Sequence, residues 1–323
     1  MIYLVFLALL FAIEWMYFKI ASHFNIIDRP NHRSSHTEIT IRGGGIVFPI
    51  SVLIWFIYSG FHYPLFVSGL ILISIISFTD DVKDTSRRLR LFLHFLAMAL
   101  VLWQLNLFSY NWALVIAIFI FFTGAINAYN FMDGINGITG IYSLVTLLTL
   151  LWINQYQASF VDAGLIISGI LGVIVFNFFN FRKKAACFAG DIGSISIAFI
   201  ICFLLIKFML QTKDIIYVLL LAVYGIDAIY TIVTRLFKKE NIFLAHRSHL
   251  YQLLVNENSY NHLVVAALYG AVQLIFNFAL LNAVAGNNRQ TVFIYILLLL
   301  IIYIILRFVS KSHKTHKSPA AKK

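Results

Sequence analysis

Ser77-Phe78-Thr79-Asp80-Asp81 ends an apolar run that begins at Leu65. The run is built to sit in hydrocarbon, and its end sets two carboxylates side by side at a membrane boundary. Charges there are costly unless a cation or a polar pocket receives them, so acids at a membrane edge default to a functional reading. One aspartate alone could as well belong to a solvated loop that ends a span. Four more polar stretches at the ends of other spans, on what the charge pattern makes the same face, tip the balance toward function.

The rest of the chain fits this setting. Of 323 residues, 61% are hydrophobic and only 11% charged, and the mean hydropathy is +0.88, far too apolar for a soluble globular domain. Apolar runs able to cross a bilayer occur at 1 to 21, 44 to 60, 65 to 79, 91 to 107, 113 to 127, 138 to 154, 163 to 180, 194 to 211, 215 to 233, 262 to 283 and 291 to 309. An all-α integral membrane protein of about eleven transmembrane helices is therefore expected, some of them short. Segments after the odd-numbered spans carry Arg29, Arg33, Arg42, Lys83, Arg87, Arg88, Arg90, Arg182, Lys183, Lys184, Arg235, Lys238, Lys239, Arg247 and the lysines from Lys311 onward; those after the even-numbered spans carry only Lys213 and Arg289. By the positive-inside rule the N-terminus is outside and the C-terminus cytoplasmic. Trp55, Trp103, Trp112 and Trp152 fall near the outer ends, as an aromatic belt would.

The net charge of +11 is thus mostly loop charge spread along one face, and no nucleic-acid partner is called for. The first span lacks a basic n-region and an A-x-A site and carries Glu14 and Lys19, so it is expected to stay rather than be cleaved. Cys187 and Cys202 have neither ligand spacing nor a disulfide framework and read as packing residues. Residues 1–309 form one membrane domain; the basic tail 310–323 is expected to be disordered and to touch anionic headgroups.

The polar loops carry the chemistry. The first holds Asp28-Arg29-Pro30-Asn31-His32-Arg33-Ser34-Ser35-His36 and then Arg42-Gly43-Gly44-Gly45. Cationic and hydroxyl donors before a glycine run that opens a helix suit an anion, although close helix packing explains a triple glycine more readily. Asp80-Asp81-Val82-Lys83-Asp84 leads into Arg87-Arg88-Leu89-Arg90, acids at the membrane edge with bases farther out; the bases alone read as positive-inside signal. Asn127, Asn130, Asp133 and Asn136 follow, with Gly134 and Gly137 letting the backbone leave the helix, and broken backbone at membrane depth is tolerated only where it is buried or lines a cavity. Phe188-Ala189-Gly190-Asp191-Ile192-Gly193-Ser194 sets a carboxylate between glycines at a span's start, where a hard cation such as Mg²⁺ and phosphate oxygens could approach; a helix cap is compatible with that role. His246-Arg247-Ser248-His249 lacks an obvious third zinc ligand, so phosphate donation ranks above metal ligation.

In this order the motifs resemble the polyprenyl-phosphate N-acetylhexosamine-1-phosphate transferase superfamily, which contains MraY, WecA and WbpL. The resemblance spans roughly residues 1 to 309 and rests on Arg42-Gly-Gly-Gly, Asp80-Asp81, Asn127-x-x-Asn130-x-x-Asp133-Gly-x-Asn136-Gly, Phe188-x-Gly-Asp191-x-Gly-Ser194 and His246-Arg-Ser-His249. It implies an eleven-helix fold with its site on the cytoplasmic face of the bacterial inner membrane. It also implies transfer of an N-acetylhexosamine 1-phosphate from a UDP-sugar to undecaprenyl phosphate, with Mg²⁺ required, Mn²⁺ able to substitute, and UMP released. On that resemblance Asp191 and Asn130 hold the metal; Asp80, Asp81 and Asp133 shape the metal and lipid-phosphate site; Arg42, His246, Arg247 and His249 hold donor phosphates; Phe188 faces uracil; Asn127 and Asn136 complete the substrate-binding set. The acceptor is already largely dianionic at neutral pH, its second pKa being about 6, so Asp80 and Asp81 are expected to organise rather than deprotonate. His-Arg-Ser-His in place of a contiguous histidine cluster, and Asn136 where MraY-like enzymes carry an acid, point to the WecA/WbpL branch, which starts O-antigen or capsule glycans, over muramyl-pentapeptide transfer. A secondary transporter is the rival class, since broken helices and polar residues mark those too, but the motif set shows no repeat between halves. An oligomer is compatible with the sequence.

Overall fold

In hydrocarbon a backbone must satisfy its own hydrogen bonds, so the apolar runs have helix as their only open-ended solution. The computed structural model, which describes residues 1–30, 38–83, 85–241 and 247–316, is helical throughout its apolar runs. Its elements are α1 Ile2–His23, β1 Ile27–Asp28, β2 Thr40–Ile41, α2 Val47–Tyr58, α3 Pro64–Val82, α4 Arg87–Gln104, α5 Trp112–Met132, α6 Ile138–Tyr156, α7 Ala163–Asn180, α8 Gly190–Thr212, α9 Ala222–Phe237, the short α10 Leu250–Gln252, α11 His262–Ala285 and α12 Arg289–His316. A 3₁₀ turn, Gly44–Ile46, leads into α2, and another, Ile215–Leu221, leads into α9.

Among the described residues nine helices are long and apolar enough to cross a membrane. This is a multi-pass membrane protein. The two remaining expected spans are helical as well: Gly44–Tyr58 is shorter, and α4 begins with Arg87, Arg88 and Arg90, which makes its first turn polar. The sequence expectation of a purely helical chain needs one correction. Ile27 and Asp28 pair antiparallel with Ile41 and Thr40, and Ile41 bridges Cys187 in parallel, so a small sheet ties the first polar loop to the fourth. At the other end, α12 runs on to His316, past the boundary at 309 where an irregular tail was expected; residues 317–323 lie outside the described part.

The helix at the centre is α8. Every residue from Ile192 to Ile206 is buried, which suits a helix apolar on all sides. Around it pack α2, α3, α5 and α6, and Phe66 stacks on Phe203 at 3.9 Å. In the 3₁₀ turn ahead of α2, Gly45 meets Gly193 so closely that a Cβ on Gly45 would stand 2.1 Å from the Gly193 Cα. The amides of Gly44 and Gly45 donate to the carbonyls of Phe188 and Ala189, at 2.8 and 3.1 Å. The triple glycine is therefore a packing device, and these two N–H groups are not offered to an anion. Toward the periphery α12 exposes Phe293, Leu297, Leu298, Ile302 and Ile305 to the surroundings, a lipid-facing surface. Cys187 and Cys202 are free and buried, as packing residues.

Candidate active site

The N-terminus of α8 anchors the site. Its first amides have no partner within the helix, and Asp81, near the C-terminal end of α3, supplies one: its carboxylate accepts from the N–H of Asp191 and of Ile192, both at 2.9 Å. A negative charge suits that helix end. Gly190, with φ +71°, makes the approach feasible, since a Cβ there would lie 2.5 Å from Asp81 Oδ2. Arg42 Nε pairs with Asp81 Oδ1 at 2.7 Å. The Asp81 side chain is wholly buried, and each of its oxygens is engaged. Burial opposes the charge on Arg42, but Asp81, Asp191 and Asp28 outweigh it and hold the guanidinium above its ordinary value.

Asp80 is engaged differently. It accepts from the Thr85 N–H at 3.0 Å and the Thr85 hydroxyl at 2.5 Å, and it pairs with Arg90. Arg90, which in the sequence reads as topology signal alone, is thus part of the site. Between the two arginines stands Asp191, 3.8 Å from Arg42 Nη2 and 3.8 Å from Arg90 Nη1. Among the described residues no group donates a hydrogen bond to its carboxylate, which faces a cavity of about 290 Å³.

Arg42, Asn130, Asp133, Asn136, Phe188 and Asp191 all line this cavity. Asn130, on the last turn of α5, accepts from the Ser194 hydroxyl at 3.0 Å. Asp133 follows as the residue that ends α5 and accepts from the Thr139 hydroxyl at 2.7 Å. Burial pushes Asp133 up to about 6, the Asp81 charge adding to the effect while Thr139 and Arg42 oppose it. Phe188 is fixed by its backbone, the N–H on Ile41 at 2.8 Å and the carbonyl on Gly44. Asn136 donates to the Arg182 carbonyl at 2.8 Å.

Other expected residues stand elsewhere. Asn127 is exposed, and its amide donates to the Thr123 carbonyl one turn back; it does not line the cavity, although Asn130 does. His249 is buried and lies 3.0 Å from Asp227; Arg247 is half-buried; neither lines the cavity. His246 lies outside the described residues. Asn180, Gln252 and His262 line it without having been singled out. Asn180 accepts from the Gly137 N–H at 2.6 Å and donates to the Cys187 carbonyl at 2.7 Å, a role with no motif to mark it.

Every one of the cavity's charged residues sits at a helix end, in a flanking loop or, for Asp28, in β1, not at mid-span. Residues 63–209 match the model of glycosyl transferase family 4. The motif resemblance holds. Curated relatives extend the match beyond that segment. A Bacillus subtilis (strain 168) protein named "Probable undecaprenyl-phosphate N-acetylglucosaminyl 1-phosphate transferase" is 23% identical over 89% of this chain and 85% of its own. Proteins named undecaprenyl-phosphate alpha-N-acetylglucosaminyl 1-phosphate transferase are 26% identical in Salmonella typhi, over 73% of this chain and 71% of theirs, and 25% identical in Escherichia coli (strain K12), over 76% and 74%. The family segment includes Asp80, Asp81, Asn130, Asp133 and Asp191, and leaves Arg42 and His249 on either side.

Proposed function

We propose that this protein transfers an N-acetylhexosamine 1-phosphate from a UDP-sugar to undecaprenyl phosphate, releasing UMP, at the cytoplasmic face of the bacterial inner membrane. The relatives' names supply the acceptor and the transferred group; the UDP donor and UMP come from the motif resemblance. One observation carries it to this chain: the Asp191 carboxylate, without a hydrogen-bond donor among the described residues, faces a polar cavity at the ends of apolar helices, between two arginines. A lipid phosphate can enter there with its chain still in the bilayer. Direct transfer forms one P–O bond from the acceptor phosphate to the sugar-bearing phosphorus and breaks the one to UMP.

Cation chemistry fits the donor set. The described residues contain no cluster of three His, Cys, Asp or Glu side chains, but Mg²⁺ commonly needs only one or two protein carboxylates besides phosphates and water. Asp191 would hold it, with the Asn130 carbonyl and Asp133 as the further oxygens of the cavity, and Mn²⁺ could substitute. When bound, the ion neutralises charge on the phosphates. The chain's own groups do the rest. Arg42 and Arg90 offer guanidinium donors to phosphate oxygens, Phe188 offers a flat apolar face for the base, and Asn136, whose NH₂ is held by the Arg182 and Lys183 carbonyls, offers its amide oxygen to the neutral part of the donor. Asp80 and Asp81 have their oxygens occupied by amide, hydroxyl and guanidinium donors, which suits organisers better than bases. The acceptor phosphate needs no base, being largely dianionic above about pH 6.

The test is UMP release by purified protein with Mg²⁺, undecaprenyl phosphate and a panel of UDP-N-acetylhexosamines. Release that requires both lipid and nucleotide sugar supports the transfer; movement of solute without turnover would favour a transporter instead.

A further inference from the structure

Asp227 lies inside α9 and is completely buried, yet it does not line the cavity. An acid within an apolar span is costly and is retained where it pairs or works. Both of its oxygens are hydrogen-bonded. Its Oδ1 lies 3.0 Å from His249 Nδ1 and accepts from the Tyr303 hydroxyl at 3.0 Å and the Thr231 hydroxyl at 3.3 Å; its Oδ2 accepts from the Tyr269 hydroxyl at 2.7 Å. The Leu250 N–H reaches both oxygens at 3.2 Å. Arg307 backs the group, donating to the Tyr303 hydroxyl at 2.7 Å and to Thr231 at 3.1 Å.

These partners come from α9, α11 and α12 on one side and from the turn that opens α10 on the other. That turn reaches the cavity. The His249 N–H donates to Gln252 Oε1 at 3.3 Å, and Gln252 lines the wall. The Tyr251 hydroxyl donates to the Phe131 carbonyl at 2.9 Å and fills the space beside Gly134, also a lining residue. An acceptor-only carboxylate at Nδ1 leaves the imidazole one orientation and one tautomeric pattern, with Nδ1 donating. An acceptor at the Leu250 amide caps the new helix.

We infer that Asp227 is a positioning residue for the donor substrate: it fixes His249 through Nδ1 and caps the Leu250 turn, so that three spans hold the segment Arg247–Gln252 against the cavity wall. This rests on the transfer reaction proposed above. On the motif resemblance this segment serves the donor phosphates and Asp80 and Asp81 the lipid phosphate, so a misplacement of that wall by a fraction of a side chain should loosen the nucleotide sugar and leave the lipid acceptor where it was.

The measurement is steady-state UMP release by the purified full chain with Mg²⁺, each substrate varied in turn. Asp227→Asn keeps the volume but sets an amide NH₂ among donors; it is expected to raise KM for the UDP-sugar about 10- to 100-fold and leave KM for undecaprenyl phosphate unchanged. Combined with His249→Ala it should add little, whereas combined with Phe188→Ala the losses should multiply. Equal rises in both KM values, or losses that multiply with His249→Ala, overturn the role. Should Asp227→Asn not fold, Tyr303→Phe removes one hydroxyl from the same carboxylate and should shift the donor KM alone, by severalfold; no shift, or a shift in both, overturns it equally. A wild-type chain that releases no UMP with any donor refutes the transfer reaction itself, a result distinct from either of these.

Discussion

At the scale of the residue, the two adjacent aspartates that look alike in sequence are held by different neighbours and should fail differently. Asp81 is buried, caps α8 and pairs with the partly exposed Arg42; Asp81→Asn breaks that pair and removes an acceptor from the α8 amides, and should cost about 1–3 kcal/mol of stability, read as a lower Tm in detergent. Asp80, more exposed and held by Thr85 and Arg90, should cost little stability when changed to Asn. Both variants should show an activity deficit that does not shrink as pH rises from about 6 to 9; strong recovery over that interval would mark a general base. Asp191→Asn should fold normally and lose several kcal/mol of transition-state stabilisation, about a hundredfold or more in kcat at any Mg²⁺ concentration; near-normal turnover at limiting Mg²⁺ would remove it from that role. Asp133 carries a pH prediction. Its folded pKa, about 6, lies above the ordinary 3.8, so folding favours the protonated form, and the stability it contributes is whole below the ordinary value and lost as pH rises through about 6. Chelator-treated wild-type protein should therefore lose Tm over this interval relative to Asp133→Asn, whose profile should be flatter.

Among elements, the contact that fixes the site is that of the 3₁₀ turn Gly44–Ile46, ahead of α2, with α8. Gly45 and Gly193 let the two backbones touch, which carries Arg42 to Asp81 and Asp191. A methyl group at either glycine meets backbone, and overpacking of this kind costs about 1–3 kcal/mol; Gly193→Ala should lower Tm and activity together. Gly124, on α5, has nothing within 4 Å of a Cβ, and Gly124→Ala should change neither. The glycine run was legible as unusual, and its two explanations, anion cradle and close packing, were both open in the sequence. Only the carbonyls of Phe188 and Ala189, brought from elsewhere in the chain, decide between them.

For the whole molecule, the Lys/Arg asymmetry of the loops predicts an N-terminus outside, a C-terminus inside and the cavity on the cytoplasmic face. Ser86, just before α4, and Asn287, between α11 and α12, are exposed, and the two native cysteines are buried, so Ser86→Cys and Asn287→Cys can be probed against a quiet background. An impermeant thiol reagent should label Asn287→Cys from outside and Ser86→Cys only after the membrane is opened; labelling of Ser86→Cys from outside would refute the orientation.

The sequence by itself determined the membrane class, the positions of the helices and the identity of most charged groups at the site, because hydrophobic runs and local helix rules depend on neighbours along the chain. Its ordered motifs also pointed to the family whose model matches residues 63–209. It could not assign partners. That Asp81 spends its charge on α8 and Arg42, that Arg90 belongs to the site, that Asn127 turns away while Asn180 and His262 turn in, and that Asp227 grips His249 are matters of helix rotation and packing angle. Those are set where helices far apart in sequence press together, and a one-dimensional pattern carries no record of which faces meet.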